Sequence, residues 1–449
     1  MNIETTPSAA VSVIRGAADA PRRGRILGVG IWGLSDQALI SATNFATMVL
    51  LARALGPASF GSFVLVYTVL LFATELQGAL VTQAHNVLGV GRAGSSYAGY
   101  TRSTAISQML LAGSLGALAA LAGLGAHLVG WGTAPLLLLL APAIVSWLSQ
   151  EFVRRVLYTE GRMAAVLLND VVSYGGQATA VAALWYFDRL DGRSALLALA
   201  ATSALAVPLG LWQLRGSFQG VSRRADLHDN WQFGKWLAGA LLAYWCASQL
   251  YLYVTAALVS SAAAGFLKAA LVLMGPLNVL LVFVDTAVPI LLARSLAASG
   301  ERGLRAQLRE TLILTAPIVG TYCVVVAVFA TPLLRRVYGE RYAADHSALL
   351  TLRAVNYLII YGSRLVGSAL RARRQTRPIF RGHLYAGVVA VAGGWLIVRV
   401  GGVEGAAVGM VASAAVVLTV VLRAFVAGST TVDGRPPIGL QSVSGDGPA

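Results

Sequence analysis

Apolar blocks of 20 to 30 residues recur along the chain from about Ile26 to Phe425, separated by short polar or basic breaks. A membrane-spanning helix needs roughly 20 apolar residues, and a backbone inside lipid must satisfy its own hydrogen bonds, so each block predicts one spanning α-helix. Twelve spans are expected, at about 26–55, 58–84, 100–127, 133–158, 163–187, 194–214, 232–259, 262–293, 310–331, 344–371, 377–399 and 402–425. The alternating ten-residue segments of an outer-membrane barrel are absent from the pattern. The expected fold class is an all-α polytopic membrane protein.

The pattern also repeats. A shift of 204 residues sets Gly30-Ile31-Trp32 on Gly234-Lys235-Trp236 and Ala58-Ser59-Phe60-Gly61 on Ala262-Ala263-Ala264-Gly265. A shift of 213 sets Glu151 to Val166 against Arg364 to Ile379, the basic elbow after spans 4 and 10. Two six-helix lobes, 26–214 and 232–425, are therefore expected, joined by a linker at 215–231 and flanked by tails at 1–25 and 426–449, the latter read as disordered. Six spans followed by six, both starting on one side, make a parallel repeat about an axis along the membrane normal, with a substrate cavity between the lobes.

Charge fixes the expected orientation. The formal net charge is +15, yet only 12% of the 449 residues are charged, and most basic residues lie in short loops. With the N-terminus inside, the inner loops and tails hold about 25 Lys and Arg and the outer loops about 7, which predicts N-in and C-in and gives no reason to expect a nucleic-acid partner. The first block lacks a small-residue cleavage site, so 1–25 reads as a cytoplasmic tail before an uncleaved helix. Cys246 and Cys323 lie within apolar blocks and read as small packing residues. No loop exceeds roughly 20 residues, leaving no room for a soluble catalytic domain, and the metalloprotease, CxxC and P-loop patterns are absent. The glycine-rich stretch Gly89 to Gly94 follows no strand and is not read as a nucleotide loop.

Charged residues inside spans are costly and mark functional positions by default. Helical spacing puts Asp36, Thr43, Asn44 and Thr47 on one face of span 1, and Thr68, Glu75, Gly78, Thr82 and His85 on one face of span 2. Lys268, Gly275, Asn278 and Asp285 share a face of span 8, and Arg353, Tyr357, Arg364, Ser368 and Arg371 one of span 10. Tyr244, Ser248, Tyr251 and Thr255 do so in span 7. Arg364, Arg353 and Lys268, with Asn44, Asn278 and Tyr251, are the expected cavity residues, because Arg forks bind phosphate oxygens bidentately. Asp36, Glu75 and Asp285 are expected either to bind a coupling proton or sodium ion or to form structural ion pairs; no other cofactor and no metal is expected. The same stripes also fit interhelical hydrogen bonding alone. Arg53, in "ARALGP" at 52–57, reads as an interfacial anchor of its own half beside a Gly56-Pro57 turn.

The opening "GIWGLSDQALISATNFATMVLLARALGPASFGSFVLVYTVLLF" resembles the first hairpin of polysaccharide and O-antigen type flippases of the multidrug, oligosaccharidyl-lipid and polysaccharide exporter superfamily. That resemblance implies a protein of the bacterial inner membrane, and not an enzyme. It implies movement of a polyprenyl-pyrophosphate-linked oligosaccharide between leaflets for exopolysaccharide, capsule or O-antigen assembly, by alternating access through a cationic cavity. A polysaccharide polymerase or export machinery would be its partner, beside the bilayer itself. The four acids Asp36, Glu75, Asp170 and Asp285 depart from a strongly cationic pattern. Rival expectations are a proton- or sodium-coupled multidrug exporter of the same fold, and a membrane-embedded glycan-modifying enzyme.

Overall fold

The structure, a computed structural model, describes residues 22–89, 92–342 and 347–428. Most of the two expected tails lies outside the described residues. Every regular element among the described residues is helical. The first run, Arg22–Gln77, has 56 residues and as a straight helix would measure about 84 Å, against a hydrocarbon layer of about 30 Å. It breaks where the sequence places a turn, at Gly56 with φ 71°, which glycine adopts without strain and after which Pro57 cannot continue the backbone ladder. The runs Val288–Val328 and Arg377–Ala427 break in the same way, at Ser299-Gly300 and at Gly402.

Twelve rods result: α1 (22–55), α2 (57–88), α3 (Gly94–Leu128), α4 (Ala134–Thr159), α5 (163–186), α6 (Gly192–Gln213), α7 (224–258), α8 (261–298), α9 (301–328), α10 (Ser347–Ala372), α11 (377–401) and α12 (403–427). Among the described residues, six continuous helices, and a seventh bent by 44° at Ser248 to Leu250, are long and apolar enough to cross a membrane, several of them containing two rods. Local chemistry sets several starts. Asp191 and Ser194 form a capping box at the head of α6, and Ser260 Oγ accepts from Ala263 N at the head of α8. Two π-helical turns, Gly78–Thr82 in α2 and Val171–Gly175 in α5, had no counterpart in the hydropathy pattern.

Helix starts depart from the apolar blocks where charged turns extend a rod past its apolar part. The linker at 215–231 is helical from Arg224, and α9 begins at 301 rather than 310. Asp226 sits in the first turn of α7, where a carboxylate suits the helix dipole, and pairs with Arg92 at 2.6 Å. Ser103 Oγ also donates to Asp226, and Tyr100 Oη donates to Asn230, so the linker is fastened to α3 of the first half.

The two halves meet at the Gly56 turn. An ideal Cβ on Gly61 would lie 1.7 Å from Ser261 O, and one on Gly265 would lie 2.3 Å from Pro57 O. Gly61 and Gly265 are 204 residues apart, as are Pro57 and Ser261, so the two contacts exchange under the repeat. The glycines kept by both halves thus face each other where α2 crosses α8, and no larger side chain fits there.

Arg53 closes the same end and corrects its reading as an anchor of one half. Its Nε donates to Val337 O at 2.5 Å and its Nη2 to Arg336 O, both on the short helix Ala330–Tyr338 of the other half. The last carbonyls of a helix have no partner within it and carry partial negative charge, which a guanidinium satisfies. Hydropathy passed over that amphipathic helix. Phe60 meets the Tyr342 ring edge-on at 6.4 Å, and Tyr342 packs on Phe266 at 5.4 Å, which adds an aromatic plug.

Candidate functional site

The second half encloses a cavity of about 410 Å³ between α7, α8, α10, α11 and α12. It runs from Lys268 and Arg353, nearer the Gly56 turn, to Arg371 and Val421, nearer the end that carries the basic loops. The helical spacing that aligned polar residues in α8 and α10 brings Lys268, Asn278, Asp285, Arg353, Arg364 and Arg371 onto its wall.

The cations form two groups with opposite local chemistry. Arg364 Nη1 donates to Asp285 Oδ2 at 2.5 Å, and Arg371 Nη2 donates to Asp285 Oδ1 at 2.7 Å. Arg371 Nη1 also reaches Asp285 O at 3.0 Å. Lys268 and Arg353, by contrast, are 9% and 5% exposed, and neither has an acidic partner among the described residues. Among the described residues Arg353 reaches only Asn356 Oδ1, at a long 3.5 Å, and its Nε has no hydrogen-bond partner there. Asn278 Oδ1 accepts from Tyr357 at 3.4 Å. A buried charge without an opposite charge costs several kcal/mol, roughly, unless something else compensates it. Two such cations on a cavity wall offer positive charge and hydrogen-bond donors that an anion would complement.

Other expected site residues fall elsewhere. Tyr251 does not line the cavity but is fully buried behind its wall: its hydroxyl pairs with the wall residue Ser413 at 3.1 Å and its ring fills the space over Gly394 and Gly409. Asn44 does not line the cavity, and its Oδ1 is buried without a partner. Glu75 stands between the halves and accepts from Trp245 Nε1 at 3.1 Å, with its carboxylate exposed. The side chain of Asp36 lies outside the described residues. The sequence reading missed Asn356 and His383, which do line the cavity; Asn356 lies three residues beyond Arg353 and was within reach of the same stripe.

The first half holds a different cluster. Arg154 Nε meets Asp170 Oδ2 at 2.7 Å, and its Nη1 meets Glu151 Oε2 at 3.4 Å. Tyr174 donates to Glu151 at 2.9 Å and Gln150 to Asp170 at 3.1 Å, all of them buried. Arg155 Nε also lies 3.9 Å from Glu151 Oε2, so two acids face two cations. Arg154→Leu leaves two buried carboxylates without it and is expected to lower stability by about 3–5 kcal/mol. Thermal unfolding of the detergent-purified protein checks this, and an unchanged midpoint would remove Arg154 from that role.

No family model matches the sequence, and no curated protein matches it. Solved structures match over nearly the whole chain. An inward-facing multidrug resistance MATE family transporter of the MOP superfamily aligns with TM-score 0.72 at 13% identity, covering 87% of this chain and 96% of that one. An outward-facing MATE family transporter of the same superfamily aligns with TM-score 0.59 at 14% identity, covering 92% and 98%. Lipid II flippase MurJ, in an inward closed conformation, aligns with TM-score 0.68 at 14% identity, covering 89% and 87%. At these identities the likeness establishes the fold. The protein is a multi-pass membrane protein with the two-lobed, twelve-helix fold of MOP superfamily transporters.

Proposed function

We propose that the protein carries an anionic lipid-linked saccharide, of the polyprenyl-pyrophosphate class, across the bacterial inner membrane for assembly of a surface polysaccharide. The observation that carries this reading is the pair Lys268 and Arg353, buried on a cavity wall with no acid among the described residues to neutralise them. A pyrophosphate supplies the missing charge and several acceptor oxygens at once. With the basic loops on the cytoplasmic side, the cavity faces inward and the Gly61–Gly265 crossing closes the outer side. Rocking of the halves about that crossing would then expose the headgroup to the other leaflet, driven by different binding energies in the two states.

A multidrug exporter of the same fold is the second reading, and Glu75 is the observation in its favour, as an exposed carboxylate between the halves. The buried acids of the first half do not help it, because Arg154 and Arg155 already pair with them. A deletion strain separates the two. Loss of surface polymer with a build-up of undecaprenyl-linked repeat units is the expected result. Unchanged polymer together with new drug sensitivity would favour the exporter.

A further inference from the structure

The two cation groups share one cavity but differ in occupancy. At the mouth, the two carboxylate oxygens of Asp285 each take a hydrogen bond from a different guanidinium, 2.5 Å from Arg364 and 2.7 Å from Arg371. Two non-bridging oxygens of a phosphate would be held by the same fork. Both arginine side chains are 34% exposed and the aspartate 28%, so the fork is reachable from the cavity. Deeper in, Lys268 and Arg353 have no carboxylate partner among the described residues. Arg353 and Arg364 are eleven residues apart on α10, a rise of about 16 Å, far more than one pyrophosphate spans.

We propose that Asp285 is a built-in stand-in for the substrate anion, and that it makes the mouth a transfer station rather than a binding site. In the empty cavity it keeps Arg364 and Arg371 assembled as a fork. An arriving phosphate displaces the carboxylate, and the carboxylate then competes to displace the phosphate. The anion moves on to Lys268 and Arg353, where nothing competes for the charge. The fork with Asp285 has a net charge of +1 and the deep pair +2, so the gradient runs inward along the cavity. Asp285 thus acts through the arginines as a positioning residue. This inference rests on the anionic-substrate reading.

The test uses inorganic pyrophosphate as probe and the full-length protein in detergent, with binding followed by calorimetry, and a fluorescent polyprenyl pyrophosphate in vesicles for turnover. Asp285→Asn is expected to tighten pyrophosphate binding on the order of tenfold while slowing turnover, since the anion is retained at the mouth. Asp285→Glu, which keeps the competing charge, is expected to stay near the wild type in both. The gain in Asp285→Asn should vanish when Arg364 and Arg371 are also changed to Ala. If Asp285→Asn fails to fold, Asp285→Ser removes the same charge with a smaller side chain and carries the same expectation. Affinity that is unchanged or weaker in the folded charge-removal variant overturns the stand-in role. Should wild-type protein not bind pyrophosphate, or bind it equally without Lys268 and Arg353, the functional reading itself fails.

Discussion

A protein carrying Lys268→Met and Arg353→Met together is expected to lose export almost completely while unfolding at the same temperature as the wild type or higher. The two readouts move in opposite directions for a physical reason. Both cations are buried and neither has an acid partner among the described residues, so their burial is a cost to the folded protein. Replacing even a buried ion pair by apolar groups of similar volume is often neutral or stabilising by about 1–4 kcal/mol, and cations without a partner have no Coulombic attraction to lose. If the cations instead held the fold together, the double variant would unfold earlier and lose export only as its abundance fell. Export is read by complementation of a deletion strain, with membrane levels measured in parallel, and stability by the unfolding midpoint in detergent. Wild-type export from a well-folded double variant would remove the pair from the substrate path.

The second large effect is expected from Gly61→Leu. A Cβ alone at that position would come within 1.7 Å of Ser261 O, a backbone atom that cannot turn aside. α2 and α8 must therefore separate, and the protein is driven out of the state in which the Gly56 end is closed. With Cys246 and Cys323 replaced by alanine and Ser261→Cys introduced as a probe, a membrane-impermeant thiol reagent should label the Gly61→Leu protein readily and the Gly61 protein poorly. Transport should fall at least tenfold, because a carrier excluded from one of its states shifts its population away from the cycle. Arg53→Ala should change labelling in the same direction by less, since it removes two hydrogen bonds but adds no clash. Equal labelling of folded Gly61 and Gly61→Leu proteins would mean that the crossing is not a closure.

The helices were legible in the sequence because lipid makes backbone satisfaction a local matter, so block length and polar breaks carry most of the information. The Gly56-Pro57 turn and the repeat-related glycines at 61 and 265 were visible for the same reason, as departures from an apolar background. Rod boundaries at 224 and 301 were missed because charged turns extend helices beyond the apolar blocks that hydropathy detects. The polar stripe on α10 was readable by helical spacing and leads to the cavity through Arg353, Arg364 and Arg371. Pairing was not readable. Nothing in the spacing of α8 and α10 says that Asp285 is shared by two arginines while Lys268 and Arg353 have no acid among the described residues, since that depends on how two distant rods pack. Tyr251 shows the limit from the other side: it lies on the polar stripe of α7, yet α7 turns it against the glycines of α11 and α12. Arg53 was misjudged because its partners are backbone carbonyls of a helix 283 and 284 residues away, and carbonyls leave no trace in a sequence.

If the cavity of the second half serves an anionic lipid-linked headgroup, the protein should move one between the leaflets of a vesicle. The purified protein is reconstituted, and a fluorescent polyprenyl pyrophosphate saccharide is placed in one leaflet and followed to the other. Movement above protein-free vesicles, competed by polyprenyl pyrophosphate but not by polyprenol or a cationic drug, is the expected result. No movement of the pyrophosphate lipid, with transport of the cationic drug in its place, would contradict it.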